Sequence, residues 1–266
     1  MRLHPFLFQS IMKTIILFIF LISANFSFAQ NNYQEKTENG AILNWQKYVI
    51  NNNKWGEHKA KKGIYTQTIF TQNEITGWKW QTPGKSYGVL GYPEIWYGES
   101  AWNNLNDIKT DNYFKNINEI KTFTVDYKTT LNVNDKKYNL AFDFWLHNSP
   151  KVALQTIGIE VMIWEDYNKF KPFGKKIGSV LTSFGQYDIY KGHLIKKELN
   201  TSWDYIAFVR HEKRTNGKVN VIEFVNEMKK RNFIGQNIYL SSFEFGTEVL
   251  TSTGDITIHQ YNLEIN

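Results

Sequence analysis

The fold prediction starts from the stretch Gly158-Ile159-Glu160-Val161-Met162-Ile163-Trp164, whose side chains alternate in character with a period of two. The branched aliphatic side chains at positions 157, 159, 161 and 163 fall on one face, whereas Glu160, Met162 and Trp164 fall on the other. This alternation is typical of a β-strand with one face in a core and one face open. The open face carries a carboxylate beside a thioether and an indole.

The segment from Ser242 to Glu248 alternates in the same way. Phe243 and Phe245 fall on one face, and Glu244 and Glu248 fall on the other. A single carboxylate on a strand face is usually a solvated surface group. Two such segments, however, supply the pair of carboxyls that acid/base and nucleophilic chemistry on a sugar polymer requires.

A third strand-like segment, Tyr138 to His147, adds another acid. Asp143 and Trp145 fall on the face opposite its leucine and phenylalanine side chains. If this strand neighbours the Glu160 strand, Asp143 is predicted to hydrogen-bond Glu160 and to hold its orientation and protonation state.

The N-terminal residues have the pattern of a secretory signal peptide. Lys13 precedes an apolar run from Thr14 to Ile22, and Ser27-Phe28-Ala29 places small residues where a signal peptidase reads. The run is too short for a membrane span, so we predict a secreted or periplasmic protein without membrane association after cleavage. The predicted division of the chain is a signal peptide over 1–29, a flexible polar lead-in over 30–40 and one folded domain over 41–266.

The composition excludes several classes of protein. The chain has no cysteine, which excludes a thiol nucleophile, a cysteine zinc site and disulfide stabilisation. The formal net charge is +6, and loss of Arg2 and Lys13 with the leader reduces it to +4, so nucleic acid is not an expected partner. None of the six histidines has the spacing of a metal pair, and we predict neither a metal nor a cofactor.

Short alternating or β-branched runs recur along the chain, from Lys47–Asn51 to Ile256–Glu264, and clusters of Asn, Gly, Pro and Lys separate them. Regular short strands with turn signals predict an all-β jelly-roll sandwich of two antiparallel sheets rather than a βαβ fold.

One segment has helical periodicity instead. Asn220 stands at a cap position, and Glu223 follows three residues later as in a capping box. Apolar residues then recur at helical spacing, namely Val221, Phe224, Val225 and Met228. We predict a structural helix that packs on the outside of a sheet.

A set of short motifs occurs in a fixed order along most of the chain. They are Asn52-Asn53-Lys54-Trp55-Gly56, Gly77-Trp78-Lys79-Trp80, Gly91-Tyr92-Pro93, Phe142-Asp143-Phe144-Trp145-Leu146, Glu160-Val161-Met162-Ile163-Trp164, Pro172-Phe173-Gly174, the helix and Phe245-Gly246-Thr247-Glu248. In this order and spacing the chain resembles the endoglucanases and xyloglucanases of glycoside hydrolase family 12, from about Tyr48 to Ile265. The resemblance implies a concanavalin-like jelly roll with a groove across its concave sheet.

The resemblance also implies retaining hydrolysis of β-1,4-glucan chains, and we predict a monomer without cofactors. It assigns Glu160 as the nucleophile, Glu248 as the acid/base and Asp143 as the acid in the preceding strand. A retaining pair is expected to hold its two carboxyls about 5 to 5.5 Å apart across the sugar.

Five residues are predicted to bind substrate. The resemblance assigns Asn53 and Trp55 to a sugar platform, and Trp145, Met162 and Trp164 share strand faces with the acids. Indole rings would offer flat apolar faces to glucose, although a position in the core is an equal alternative for each tryptophan.

The sequence departs from the family pattern at two acids. Glu94 follows Tyr92-Pro93 where a smaller uncharged residue is usual, and Glu244 replaces a common glutamine. We expect these differences to affect subsite preference more than reaction type. Glu244 is also the alternative to Glu248 as the acid, since a bulge at Gly246 would exchange which of them points inward.

The alternative from another functional class is a non-catalytic, lectin-like glycan-binding protein, because jelly rolls host lectins as well as hydrolases. A lectin needs aromatics and amides but has no use for two acids that face one bond. A calcium-dependent lyase is disfavoured because no acid cluster resembles a calcium loop. The choice among cellulose, mixed-linkage glucan and xyloglucan depends on loop shape, which the sequence leaves open.

Overall fold

The structure is a computed structural model that describes residues 32–61, 63–102 and 115–266. The predicted signal peptide over 1–29 lies outside the described residues. In chain order the strands are β1 (Tyr33–Lys36), β2 (Ile42–Trp45), β3 (Tyr48–Asn51), β4 (Thr66–Gln72), β5 (Ile75–Gln81), β6 (Glu94–Gly98), β7 (Lys115–Asn116), β8 (Phe123–Val133), β9 (Tyr138–His147), β10 (Ile157–Asn168), β11 (Lys175–Thr182), β12 (Gly185–Lys196), β13 (Thr201–Arg210), β14 (Asn216–Asn220), β15 (Tyr239–Gly246) and β16 (Gly254–Ile265), and the α-helix is α1 (Val221–Lys230). No helix within these ranges has the length and apolar character needed to cross a membrane.

The strands form two sheets, which confirms the predicted all-β sandwich. The six-stranded sheet has the order β1-β4-β5-β16-β8-β14. The ten-stranded sheet has the order β11-β12-β13-β10-β9-β15-β6-β3-β2, with β7 paired to β15.

One ladder corrects the prediction of purely antiparallel sheets, because β10 and β13 pair in parallel, with Glu160 opposite Tyr205. Parallel neighbours need a long crossover connection. Here the chain leaves β10, runs out to the sheet edge at β11 and returns through β12 before β13 joins β10.

The core lies between the two sheets and consists mainly of aromatic and branched side chains. Phe142 of β9 stacks on Phe243 and Phe245 of β15, with ring centroids 5.4 Å and 4.6 Å away. Tyr127 of β8 packs edge-on against Phe142 at 5.4 Å and joins the six-stranded sheet to this stack. Each fully buried side chain of this size contributes about 1.5 to 3 kcal/mol. These are the apolar faces that the period-2 pattern assigned to the core.

The helix packs against β8 and β11 through the predicted stripe, because Val221, Phe224, Val225 and Met228 are all buried. The ring of Phe224 lies 4.8 Å from that of Phe208. The predicted capping box is wrong: the Asn220 side chain makes no cap hydrogen bond and donates instead to Glu223 Oε1 at 3.0 Å. Glu223 Oε2 accepts the Ser183 amide at 2.7 Å, so this acid joins the helix to the turn after β11.

The predicted flexible lead-in over 30–40 contains β1, an antiparallel edge strand on β4. All four of its side chains are exposed, so its sequence has no apolar alternation to reveal a strand. Backbone pairing and the stacking of Tyr33 on Phe70, with ring centroids 6.2 Å apart, hold it in place.

Candidate active site

One face of the ten-stranded sheet collects acids from four neighbouring strands. Within the ladders, Glu244 of β15 lies opposite Asp143 of β9, and Asp143 lies opposite Met162 of β10. Glu160 is two residues from Met162 and therefore shares its face, as does Glu94 of β6, which lies opposite Gly246. The expected adjacency of the Asp143 and Glu160 strands is confirmed.

Glu160 is half-buried and is held by a tryptophan that the motifs did not single out. Trp203 Nε1 donates a hydrogen bond to Glu160 Oε2 at 2.7 Å. Trp203 lies on β13, which the parallel ladder brings beside β10. Burial raises the pKa of Glu160 to about 7, while the Trp203 hydrogen bond and the positive charge of Lys196 act in the opposite direction.

Glu248 lies just beyond β15 on a segment that two neighbours orient. Trp78 Nε1, in the core, donates to Thr247 Oγ1 at 3.1 Å, so Thr247 faces the core and the next side chain faces away. Asn139 of β9 holds Glu248 at two points: its Oδ1 accepts the Glu248 amide at 2.9 Å, and its Nδ2 donates to Glu248 Oε2.

The pKa of Glu248 is raised to about 8. Burial is the largest cause, the negative charge of Glu160 is the second, and the hydrogen bond from Asn139 acts against both. The two carboxyls therefore interact electrostatically, and Glu248 is the one that holds its proton to higher pH.

A glycine is required where β15 ends beside Glu248. A side chain at position 246 would place its Cβ 2.7 Å from both the Tyr92 ring and the Pro93 carbonyl oxygen. The Tyr92 hydroxyl in turn donates to the Ala141 carbonyl at 2.9 Å. The tyrosine ring thus packs directly on the backbone of β15.

Glu244 has different neighbours from Glu248. The β15–β9 ladder keeps its register from Ser242 to Gly246, and its irregularity lies earlier, between Leu240 and Ser242. A bulge at Gly246, the alternative considered for the acid, is therefore absent from this ladder. Glu244 instead contacts the carboxyl of Glu94, and both are buried.

Asp143 is buried between Glu244 and the Glu160 strand. Burial, followed by the charges of Glu160, Glu244 and Glu248, raises its pKa well above the usual range. Its Oδ1 has no hydrogen-bond partner in the part of the chain that the structure describes. The hydrogen bond between Asp143 and Glu160 stays a prediction, and the link that the structure provides is electrostatic.

Trp55 and Asn53 lie at the start of the motif that follows β3. The Trp55 side chain is 46% exposed, so it is a surface ring rather than a core residue, and Lys59 Nζ lies 3.8 Å from its centroid. Asn53 is half-buried; its Nδ2 donates to Glu94 Oε1 at 3.2 Å and its Oδ1 accepts the Trp55 amide at 3.4 Å.

The other three substrate-binding candidates, Trp145, Met162 and Trp164, are all buried. Trp145 packs edge-on against Trp102 and Trp203 at 5.5 and 5.6 Å, which forms a three-indole cluster beside Glu160. Met162 is buried, and its sulfur accepts weak hydrogen bonds from the Trp164 indole at 3.5 Å and from a tyrosine hydroxyl on β13 at 3.3 Å.

Trp164 corrects the prediction of an open ring face. It is fully buried and stacks on Phe170 with ring centroids 5.1 Å apart. Residues after β10 fold back over the strand, so the face that alternation marks as non-core is covered here. Trp164 therefore supports Met162 by direct contact with its sulfur and has no open ring face.

Sequence reasoning missed Asn139 and Trp203 as site residues. Asn139 lies on the same face of its predicted strand as Asp143, and Trp203 begins the predicted strand that ends at Arg210. Their contacts with the two catalytic candidates depend on strand order, which the pattern does not encode. In the part of the chain that the structure describes, no cluster of three or more His, Asp or Glu is arranged as a metal site.

The chain is similar to known proteins over most of its length. The family described as "Glycosyl hydrolase family 12" matches residues 46–266. Endoglucanase S from Pectobacterium parmentieri is 26% identical over 226 residues, which are 82% of each chain. The inactive glycoside hydrolase XLP1 from Phytophthora nicotianae is 26% identical over 230 residues, or 83% of this chain and 87% of the relative.

Solved structures share the fold. A family 12 xyloglucanase from Bacillus licheniformis superimposes with a TM-score of 0.76 at 24% identity and covers 88% of this chain and 100% of its own. An endoglucanase 3 from Trichoderma harzianum gives a TM-score of 0.71 at 20% identity, over 90% of this chain and 100% of its own. With a family match that spans most of the sequence, the chain belongs to glycosyl hydrolase family 12.

Proposed function

We propose that the protein is a secreted, retaining endo-β-1,4-glucanase in which Glu160 is the nucleophile and Glu248 is the acid/base. The observation that carries the proposal is a pair of interacting carboxyls on one face, each held by a donor from another strand. Burial raises the pKa of Glu160 to about 7, and burial together with the charge of Glu160 raises that of Glu248 to about 8. Glu248 therefore holds its proton to higher pH than Glu160, which is the order that double displacement requires.

The chemistry follows in two steps. The Glu160 carboxylate attacks the anomeric carbon as the glycosidic bond breaks, and the proton of Glu248 passes to the leaving oxygen. Glu248, now ionised, removes a proton from water, and the resulting hydroxide attacks the anomeric carbon and releases Glu160. Trp203 holds the nucleophile during this sequence, and Asn139 holds the acid/base.

The proposed substrate class is β-1,4-linked glucan. The names of the relatives include both an endoglucanase and a xyloglucanase, so cellulose, mixed-linkage glucan and xyloglucan are the three polymers to compare. The exposed Trp55 ring is proposed to stack on a glucose unit away from the bond that is cleaved.

The competing function is glycan binding without catalysis, and one relative carries the description "inactive". Both carboxyls are present in this chain, each held by a donor from another strand. A binding protein has no need for such a pair, so the comparison favours hydrolysis.

The test is the release of reducing ends from the three polymers by wild type, Glu160→Gln and Glu248→Gln. Each variant is expected to lose turnover by a factor on the order of 10² to 10⁴ or more with its fold retained. Glu264→Gln, an exposed acid on β16, is the matched control and should keep full activity. Proton NMR of the first product should show the β-anomer, and an initial α-anomer would exclude a retaining pair. Export is tested by N-terminal sequencing of the secreted protein, which should begin at Gln30.

A further inference from the structure

Two buried glutamates lie beside the catalytic pair and take no part in the chemistry proposed above. Glu94 is 0% exposed and Glu244 is 3% exposed, and their carboxyls are in hydrogen-bond contact. No lysine, arginine or histidine within the described residues forms an ion pair with either. Two contacting carboxylates without a cation cannot both be ionised at neutral pH.

The hydrogen bonds around the pair show where the proton lies. Asn51 Nδ2 and Asn53 Nδ2 both donate to Glu94 Oε1, at 2.9 and 3.2 Å. Ser242 Oγ donates to Glu244 Oε1 at 2.9 Å. Glu94 Oε2 has no N–H or O–H donor among the described residues. A proton on Glu244 fills this gap, because it lets Glu244 donate to Glu94.

The pair belongs to a row of acids that crosses four adjacent strands. Glu244 lies opposite Asp143 in the ladder, and Asp143 separates the pair from Glu160. The charge of Glu160 acts on Glu244, and that of Asp143 acts on Glu94. The titratable groups that face this row are Glu94, Glu244, Asp143, Glu160, Glu248, Tyr92, Tyr205, His147 and Lys196. Burial lowers the pKa of His147 to about 4, which leaves it neutral.

We propose that Glu94 and Glu244 are positioning residues joined by one shared proton, and that the single negative charge which the pair carries once Glu94 ionises acts on the acid row and sets the basic limit of the pH range in which Glu160 and Glu248 work. This inference rests on the proposed hydrolysis by those two residues. Burial raises the pKa of Glu94 to about 8 and that of Glu244 well above its usual range, so the charge is present on the basic side of the pH–rate profile, where it favours protonated Glu248 and moves the basic limb to higher pH.

The same pair also anchors the candidate sugar platform. Glu94 holds Asn53, which in turn accepts the Trp55 amide. A glutamine at position 94 keeps an oxygen that accepts from Asn51 and Asn53. Glutamine substitutions therefore isolate the effect of charge, with KM expected to change by less than about threefold.

The experiment compares the pH dependence of kcat/KM for wild type, Glu94→Gln, Glu244→Gln and the double variant. Each single variant retains one carboxyl and hence one negative charge on the basic side of the profile, so the basic limb should stay within about 0.3 pH units of wild type. The double variant loses the charge, and the basic limb should move to lower pH by on the order of 0.5 to 1 unit. Equal, additive shifts in the single variants would show two independent charges and overturn the shared proton. An unshifted double variant would show that the pair has no influence on the reaction.

A second readout does not depend on activity. In resting enzyme labelled with ¹³C at glutamate carboxyls, loss of one partner should lower the pKa of the remaining carboxyl by at least about one unit, because an amide donor replaces an acidic neighbour. An unchanged titration in both single variants overturns the proposal even if the double variant does not fold. A wild-type protein that hydrolyses none of the three polymers contradicts the proposed function, whereas the NMR titration still decides the shared proton.

Discussion

Trp203→Phe tests how the fold keeps the proposed nucleophile ionised. The substitution retains an aromatic ring in the indole cluster and removes one donor, the Nε1 hydrogen that Glu160 Oε2 accepts at 2.7 Å. Burial pushes the pKa of Glu160 up, and this hydrogen bond is the leading influence that pushes it down. Its loss should therefore raise the pKa of Glu160.

The magnitude follows from the strength of such bonds. A hydrogen bond to a charged group contributes about 1.5 to 3 kcal/mol, which corresponds to a pKa rise of about 1 to 2 units. From about 7, the pKa of Glu160 would then reach or pass the value of about 8 for Glu248. The acidic limb of kcat/KM should move to higher pH, and the share of enzyme in the reactive protonation state at the optimum should fall about two- to fivefold.

The assay is a pH series of initial rates on a soluble β-glucan, with Trp145→Phe as the matched control. Trp145 belongs to the same cluster, but its Nε1 has no hydrogen-bond partner in the part of the chain that the structure describes. In Trp145→Phe the acidic limb of the pH–rate profile should therefore stay at its wild-type pH, even if KM changes. If both variants shift the limb equally, the cause is altered packing of the cluster, and the role assigned to the Trp203 hydrogen bond is refuted.

Three further predictions concern other neighbours of the site. Asn139→Ala removes the donor that lowers the pKa of Glu248, so the basic limb of the pH–rate profile should move to higher pH while turnover falls. Asp143→Asn replaces a carboxyl that burial and the neighbouring acids keep protonated with a neutral amide, and it should shift the acidic limb with a smaller loss of turnover than Glu160→Gln; an unchanged profile and rate would make Asp143 a bystander. Trp55→Ala should raise KM on polymers by a factor that corresponds to about 1 to 3 kcal/mol and leave the melting temperature nearly unchanged, since the ring is 46% exposed. A large loss of thermal stability at normal KM would contradict the platform.

The sequence by itself determined the faces of the strands and the helix. A period of two assigns every second side chain of β9, β10 and β15 to the core, and the phenylalanines of these strands do pack there. The helix stripe follows from its own period in the same way. These features depend on local backbone geometry, which neighbouring residues encode directly. Motif order was sufficient to indicate the family.

The exceptions arise where tertiary contacts override the local pattern. Trp164 lies on the predicted open face, yet Phe170 covers it, because the chain after β10 returns over the strand. The polar strand β1 has no alternation, since all four side chains of this edge strand are exposed and backbone pairing and the stacking of Tyr33 on Phe70 hold it. Neither outcome can be read from side-chain character along one strand.

Only the tertiary structure decided which strands are neighbours, and this order builds the site. The parallel ladder between β10 and β13 brings Trp203 to Glu160, although 43 positions separate them in the chain. Pairing of β6 with β15 brings Glu94 to Glu244, two acids whose contact the sequence does not reveal. The physical reason is that lateral order in a sheet depends on the packing of all strands together, whereas alternation is a property of each strand alone.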